Sequence, residues 1–212
     1  MSKLILYSDQ INEKRELDHE LLRLLNKQNP SIGYIPSASD LTRKYFNVKV
    51  DYYKDLGITN LRYFDLDKEC DETKINEVFD CDAIHLSGGN TFYFLYLLRK
   101  RNFIEKLRTY VHNGGVLIGI SAGSILMTKT IALSGLGEDV DDNFIGIQDL
   151  SALGLVEFEF MPHLGDRKNH NALKQIEEYA KSKNTSVYCC ENGSGVVVDG
   201  DSIKLIGDVI KV

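Results

Sequence analysis

Short apolar runs alternate with amphipathic stretches along this chain, and the alternation restricts its fold more than any other feature. Five runs of strand length, rich in β-branched or aromatic residues, occupy 4–7, 32–35, 61–64, 83–86 and 116–120. Stretches with the periodicity of helices that bury one face occupy 13–28, 40–56, 71–79, 91–111 and 168–182, and the fourth is expected to break near Arg101 and Asn102. Strands and helices that alternate with short links predict a three-layer α/β fold, in which helices cover both faces of a mostly parallel sheet.

The last third of the chain has a different pattern. Residues 187–190, 195–198 and 203–206 are short apolar runs joined by Gly and Asp turns, and 198–202 has the composition of a hairpin. We therefore expect a small antiparallel extension at the C-terminal end. Because the 212 residues contain no internal repeat and no low-complexity linker, a single domain over 1–212 is predicted.

Composition restricts the location and the partners. With 43% hydrophobic and 26% charged residues, and no apolar run near the roughly 18 residues of a membrane span, the chain has the composition of a soluble protein. Its first residues lack the features of a secretory signal, so we expect a cytoplasmic protein without a membrane partner. A net charge of −6 with scattered basic residues argues against nucleic acid binding. Four cysteines without metal-ligand spacing predict reduced thiols and no metal or cofactor.

The segment Gly119-Ile120-Ser121-Ala122-Gly123 follows an apolar run and leads into a helix-compatible stretch. This is the G-x-S-x-G pattern of a nucleophile elbow, which holds a serine oxygen at the carboxyl end of a strand. The N–H of Ala122 would then receive a developing oxyanion. We predict acyl transfer through Ser121, and the alternative is that these small residues only join a strand to a helix.

A serine nucleophile needs a general base and a group that orients the base. Among five histidines, His163 follows the strand-like run 156–160, in a loop at the expected carboxyl edge of the sheet. It is the predicted base, and a structural role in the loop is the alternative. Glu191, after 187–190, is the predicted acid, with the acidic loop that contains Asp139 as the rival source. The order Ser, His, Glu disfavours the α/β-hydrolase fold.

A second oxyanion donor is expected from the segment Ser87-Gly88-Gly89-Asn90-Thr91. A strand ends there, the glycines permit a close backbone approach, and a helix begins with positively polarised amides. An N–H of Gly88 or Gly89 would therefore act together with that of Ala122. The alternative is a tight turn without a catalytic role.

Four segments of the chain resemble the motifs of peptidase E, the aspartyl dipeptidase family: 87–92, 119–124, 161–163 and 191–194. The resemblance implies a class I glutamine amidotransferase-like fold and a serine peptidase that cleaves short peptides, including dipeptides with an N-terminal aspartate. It implies Ser121 as nucleophile, His163 as base and Glu191 as acid. One departure is that Asn192 separates Glu191 from the following glycine.

The same resemblance implies a short peptide as the partner, and substrate contacts are expected at Asn90, Thr91 and Arg167. The sequence does not fix the oligomeric state, and a homodimer is one expectation. Two alternative functions stay open at this point: a β-aspartyl peptide hydrolase similar to cyanophycinase, and a ligand-binding homologue without activity. A glutaminase is disfavoured because the elbow carries Ser121 in place of cysteine, and Gly165 stands where glutaminases place a glutamate.

Overall fold

The computed structural model describes residues 2–11, 13–136, 140–167 and 170–212, with the side chains of 166–167 and 170–172 excepted. Ten strands within these ranges form two sheets. The strands are β1 (Lys3–Tyr7), β2 (Ser31–Ile35), β3 (Asn60–Tyr63), β4 (Ala83–Leu86), β5 (Val116–Ile120), β6 (Glu159–Met161), β7 (Val187–Cys190), β8 (Gly195–Asp199), β9 (Ser202–Ile206) and β10 (Val209–Lys211).

The central sheet has seven strands in the order β3-β2-β4-β5-β1-β8-β9. The first five of these are parallel, and β8 and β9 extend the sheet with antiparallel pairing beside β1. A second sheet has the order β10-β7-β6, in which β6 is parallel and β10 antiparallel to β7. The carboxyl ends of the five parallel strands therefore share one edge of the central sheet.

Seven α-helices accompany the sheets in the described part of the chain. They are α1 (Glu16–Leu25), α2 (Lys44–Lys54), α3 (Ile75–Phe79), α4 (Thr91–Lys100), α5 (Phe103–His112), α6 (Ala122–Ile125) and α7 (His170–Lys183). Short 3-10 turns occupy Glu72–Lys74, Ala132–Gly135 and Leu164–Arg167. None of the described helices is both long enough and apolar enough to span a bilayer.

Two hydrophobic clusters lie on opposite faces of the central sheet, as the alternation of side chains along β1 requires. Leu4 and Leu6 pack in the cluster that includes α4 and α5, whereas Ile5 and Tyr7 pack in the cluster that includes α1 and α2. Helices thus cover both faces. The predicted α/β fold, with a mostly parallel sheet and an antiparallel C-terminal extension, is confirmed.

Some predicted boundaries differ from the observed ones. The helix over 91–111 does break where expected, because Asn102 has a left-handed backbone (φ 55°) between α4 and α5. The predicted boundaries of the strand over 156–160 are wrong, because only Glu159–Met161 pairs with β7. Residues 187–190 do not join the antiparallel extension of the central sheet either. They form the middle strand of the second sheet, where strands pair with both of their edges.

Candidate active site

Ser121 lies at a strained turn between β5 and α6. Its backbone angles are φ 51° and ψ −109°, a conformation that non-glycine residues rarely adopt. The two flanking glycines have steric reasons to be there: a Cβ on Gly119 would lie 2.5 Å from the nitrogen of Ser124, and a Cβ on Gly123 would collide with the carbonyl of Leu86. The G-x-S-x-G spacing therefore permits the tight elbow that the sequence predicts.

His163 faces Ser121 across this turn. Its Nε2 lies 2.9 Å from Ser121 Oγ, within hydrogen-bonding distance, and both residues are half-buried. The histidine follows β6 of the second sheet, and not a strand of the central sheet as the sequence suggested. Its own backbone has a positive φ of 59°, and its N–H donates to Ser8 Oγ at 2.8 Å. Ser8 directly follows β1, so the hydrogen bond joins the two sheets at the site.

Asn192 occupies the position that orients the imidazole. Its Oδ1 lies 2.6 Å from His163 Nδ1 and 3.3 Å from Ser8 Oγ, which also donates to the carbonyl of Cys190 at 3.1 Å. When Nδ1 carries the proton and donates it to Asn192, the lone pair of Nε2 faces the hydroxyl of Ser121. With this tautomer, the imidazole has the form that a general base requires.

Glu191, the predicted acid, lies on another side of the same turn. Its carboxylate faces Gly165, where a Cβ would collide with Oε2. Adjacent residues after a strand direct their side chains differently. Here Asn192, the residue after Glu191, reaches His163 Nδ1. The position of Glu191 therefore differs from the prediction. The sequence feature that could have indicated this contact is Asn192 itself, which interrupts the family motif between Glu191 and the following glycine.

The acidic loop between Ser121 and His163 also differs from the prediction where it is described. Asp139 lies outside the described residues. Asp141 accepts hydrogen bonds from the N–H of Thr91 at 2.8 Å and from its hydroxyl at 2.5 Å, so it sits at the N-terminus of α4. Its negative charge there stabilises the helix, and no described contact joins it to the histidine.

The implied substrate contacts receive little support from these positions. Thr91 is fully buried, and its hydroxyl is bound to Asp141. Asn90 caps α4 by accepting from the N–H of Tyr93 at 2.8 Å, while its Nδ2 donates to the carbonyl of Asp142 at 2.9 Å. The unsatisfied N–H groups of the helix end account for these contacts. The side chain of Arg167 lies outside the described residues.

The glycine segment that was predicted to supply an oxyanion donor lies beside the serine. A Cβ on Gly88 would lie 3.6 Å from Ser121 Cβ, so the two backbones are neighbours. The Gly88 carbonyl accepts from the hydroxyls of Ser87 and Ser37 at 2.9 and 2.8 Å, which holds the following peptide in one orientation. Within the described part of the chain, the N–H groups of Gly88, Gly89 and Ala122 have no hydrogen-bond partner. Their hydrogen-bonding capacity is therefore not used within these residues.

A cavity of about 880 Å³ opens beside these groups. Its wall comprises the segments that follow β1, β2 and β4, together with one side of α2 and Ile120, the residue before the serine. Lys49 of α2 lines it, and burial lowers the pKa of this ammonium group. No group of three or more potential metal ligands converges anywhere in the described residues. The cavity thus reaches the glycine segment and the residue that precedes the serine.

Comparison with known proteins agrees with this geometry. The model of peptidase family S51 matches residues 4–206. Peptidase E of Shewanella denitrificans is 25% identical over 98% of this chain and 88% of its own length. Peptidase E of a Nostoc species is 27% identical over 98% of this chain and 87% of its own.

Solved structures share the fold. A candidate peptidase E from Listeria monocytogenes EGD-e superposes with a TM-score of 0.77 and 22% identity, covering 97% of this chain and 98% of that one. A peptidase from an acI-B1 actinobacterium gives a TM-score of 0.71 and 18% identity, over 98% and 88% of the two chains. Since the family model spans nearly the whole sequence, this chain belongs to peptidase family S51 and is a hydrolase of the serine peptidase class.

Proposed function

We propose that this chain hydrolyses short peptides by acyl transfer through Ser121, with His163 as general base. The observation that carries the proposal is the 2.9 Å contact between Ser121 Oγ and His163 Nε2. The strained conformation of Ser121 supports it, because such strain is commonly retained at functional positions. Membership of a peptidase family supplies the class of bond that is cleaved.

The mechanism follows from the contacts. Nε2 of His163 accepts the proton of Ser121 as Oγ bonds to the scissile carbonyl carbon, and the N–H groups of Gly88, Gly89 and Ala122 are the donors we assign to the oxyanion. The imidazolium then gives its proton to the leaving nitrogen, the C–N bond breaks, and an acyl group remains on Oγ. Water deprotonated by the same imidazole releases the acid and restores the serine.

We assign the orienting role to Asn192 in place of Glu191. An amide oxygen that accepts the Nδ1 proton fixes the tautomer and the ring plane of His163, as the third member of a triad must. Unlike a carboxylate, it adds no negative charge beside the imidazolium. We therefore describe the group as Ser121, His163 and Asn192, with Ser8 holding the backbone of the histidine.

The replacement Ser121→Ala tests this function. It should lower kcat/KM for the best peptide by about 10³-fold or more, because triad members act as a unit. The measurement is a panel of di- and tripeptides that vary the first residue, aspartate included, together with β-aspartyl-linked peptides.

A fluorophosphonate probe gives an independent readout. It should form a covalent adduct at Ser121 in the wild type, and His163→Ala should slow the labelling. Wild-type turnover by Ser121→Ala would contradict the proposal. Peptide binding without turnover or labelling would favour the ligand-binding alternative.

A further inference from the structure

We propose that Lys49 forms a subsite for a carboxylate group of the substrate in the cavity beside Ser121. This inference rests on the proposed peptidase function and adds to it a residue that determines substrate preference. The carboxylate belongs either to an acidic side chain or to the C-terminus of the peptide, and the experiment below separates these two sources.

The position of Lys49 suits such a role. It lies on α2 and lines the same cavity as Gly88 and Gly89, whose N–H groups are the assigned oxyanion donors. Tyr45 and Val48 of the same helix are 67% and 57% exposed at the rim, so the ammonium group lies behind an apolar border. A peptide bound at the serine would extend one of its ends into this space.

The ammonium group of Lys49 lacks a close counter-ion. Its Nζ donates to Gln10 Oε1 at 2.9 Å, and no carboxylate of the described residues lies within the 4.0 Å of an ion pair. An ammonium has three donors, so two remain for a ligand. The Lys49 side chain is half-buried, and burial lowers its pKa, while the charges of Asp9 and Asp18 act in the opposite direction. A partly buried cation interacts more strongly with an incoming carboxylate than an exposed one does.

A chain of hydrogen bonds fixes this ammonium group. Gln10 Nε2 donates to the hydroxyl of Tyr53 at 3.3 Å, and that hydroxyl lies 2.8 Å from His85 Nδ1. Tyr53 and His85 are fully buried. The anchored amide therefore presents its oxygen to Lys49, and the cation is held in position before a substrate arrives.

Two carboxylates also line the cavity, but backbone groups engage both. Asp9 accepts from the N–H of Gln10 at 2.7 Å. Asp40 accepts from the N–H groups at the start of α2, including that of Tyr45 at 2.7 Å. The positive N-terminus of the helix compensates the charge of Asp40. Among the described residues that line this cavity, Lys49 is therefore the cation whose remaining donors a substrate carboxylate could meet.

The test compares matched peptides that differ only in one carboxylate. One pair carries an acidic residue or its amide isostere, and the other carries a free or an amidated C-terminus. In the wild type, one pair should show a kcat/KM ratio of about tenfold or more in favour of the acid. Lys49→Gln should bring that ratio close to one, and Lys49→Arg should retain part of it. Lys44→Gln, an exposed lysine of the same helix, should leave it unchanged.

A second variant supplies the carboxylate from within the chain. Gln10→Glu places a negative group against Nζ and should reduce the same ratio, while fluorophosphonate labelling of Ser121 continues.

Labelling of Ser121 without any preference for the acid, or a preference that survives Lys49→Gln in a folded protein, would overturn the subsite. Where Ser121 is neither labelled nor active, the proposed function fails separately. Calorimetric titration of the paired peptides then decides the subsite, which is refuted if Lys49→Gln binds both members as the wild type does.

Discussion

His163 is held by contacts from three separate parts of the chain. Its Nε2 meets Ser121, its Nδ1 meets Asn192, and its N–H donates to Ser8. These contacts fix both the ring and a backbone with positive φ. The group at Nδ1 is an uncharged amide, so it can orient the imidazole without compensating the positive charge of a protonated ring. A single substitution can then add the charge without moving the ring.

Asn192→Asp is the residue-scale prediction. A carboxylate at Nδ1 stabilises the protonated imidazole, so the acid limb of the kcat/KM profile should move to higher pH. Asn192→Ala should instead lower kcat by about 10²-fold, because the ring loses its orientation. The measurement is a pH–rate profile for the three proteins with one peptide. An unchanged profile in Asn192→Asp together with full activity in Asn192→Ala would remove Asn192 from the mechanism.

Two segments at strand ends carry the N–H groups that we assign to the oxyanion. The segment before α4 presents the N–H groups of Gly88 and Gly89, and the start of α6 presents that of Ala122. Asp141 fastens the first of these elements through Thr91. An acid in this interval was a rival for the catalytic group, and its observed position gives it a capping role instead.

The element-scale prediction concerns that cap. Asp141→Ala should lower the free energy of unfolding by about 1–2 kcal/mol, because the N-terminus of α4 loses a charged hydrogen-bond acceptor. Fluorophosphonate labelling of Ser121 should keep its rate under conditions in which the variant is folded. The exposed Asp142→Ala serves as the control, and denaturant unfolding supplies the measurement. Loss of labelling in a folded Asp141→Ala would return this residue to the catalytic group.

Element boundaries show which patterns were informative. The strands over 83–86 and 116–120 begin and end as the apolar runs predict, because both faces of these central strands are buried. The helix predicted over 40–56 is shorter, since Asp40 binds the N–H groups of its first turn from a loop. The strand at Glu159–Met161 was predicted at the wrong residues, because its extent depends on pairing with β7. Periodicity in the sequence does not record that pairing.

At the scale of the whole molecule, the second sheet introduces a buried acid. Glu159 of β6 is 4% exposed, and its Oε2 has no hydrogen-bond partner among the described residues. Burial raises the pKa of this carboxyl group from 4.5 to about 7. The folded protein therefore binds a proton that the unfolded chain releases at lower pH. Its contribution to stability is complete below pH 4.5 and is lost as the pH rises through 7.

Glu159→Gln follows as the whole-molecule prediction. The amide remains neutral, so the variant should gain about 1–3 kcal/mol relative to the wild type as the pH rises from about 4.5 to 8. The measurement is the free energy of unfolding across this range, with the exposed Glu157→Gln as control. A difference that does not change with pH would show that Glu159 is ionised in the folded protein.

The sequence by itself determined the layered α/β fold and the tight glycine-flanked turn at Ser121, because burial periodicity and the steric demands of glycine are local properties that the chain records directly. The role of His163 as base stays a prediction. The tertiary structure decided that Asn192 meets the imidazole, and that Lys49 lies in the cavity. Those choices depend on side-chain direction in turns and on contacts between segments far apart in the chain, joined here across two sheets.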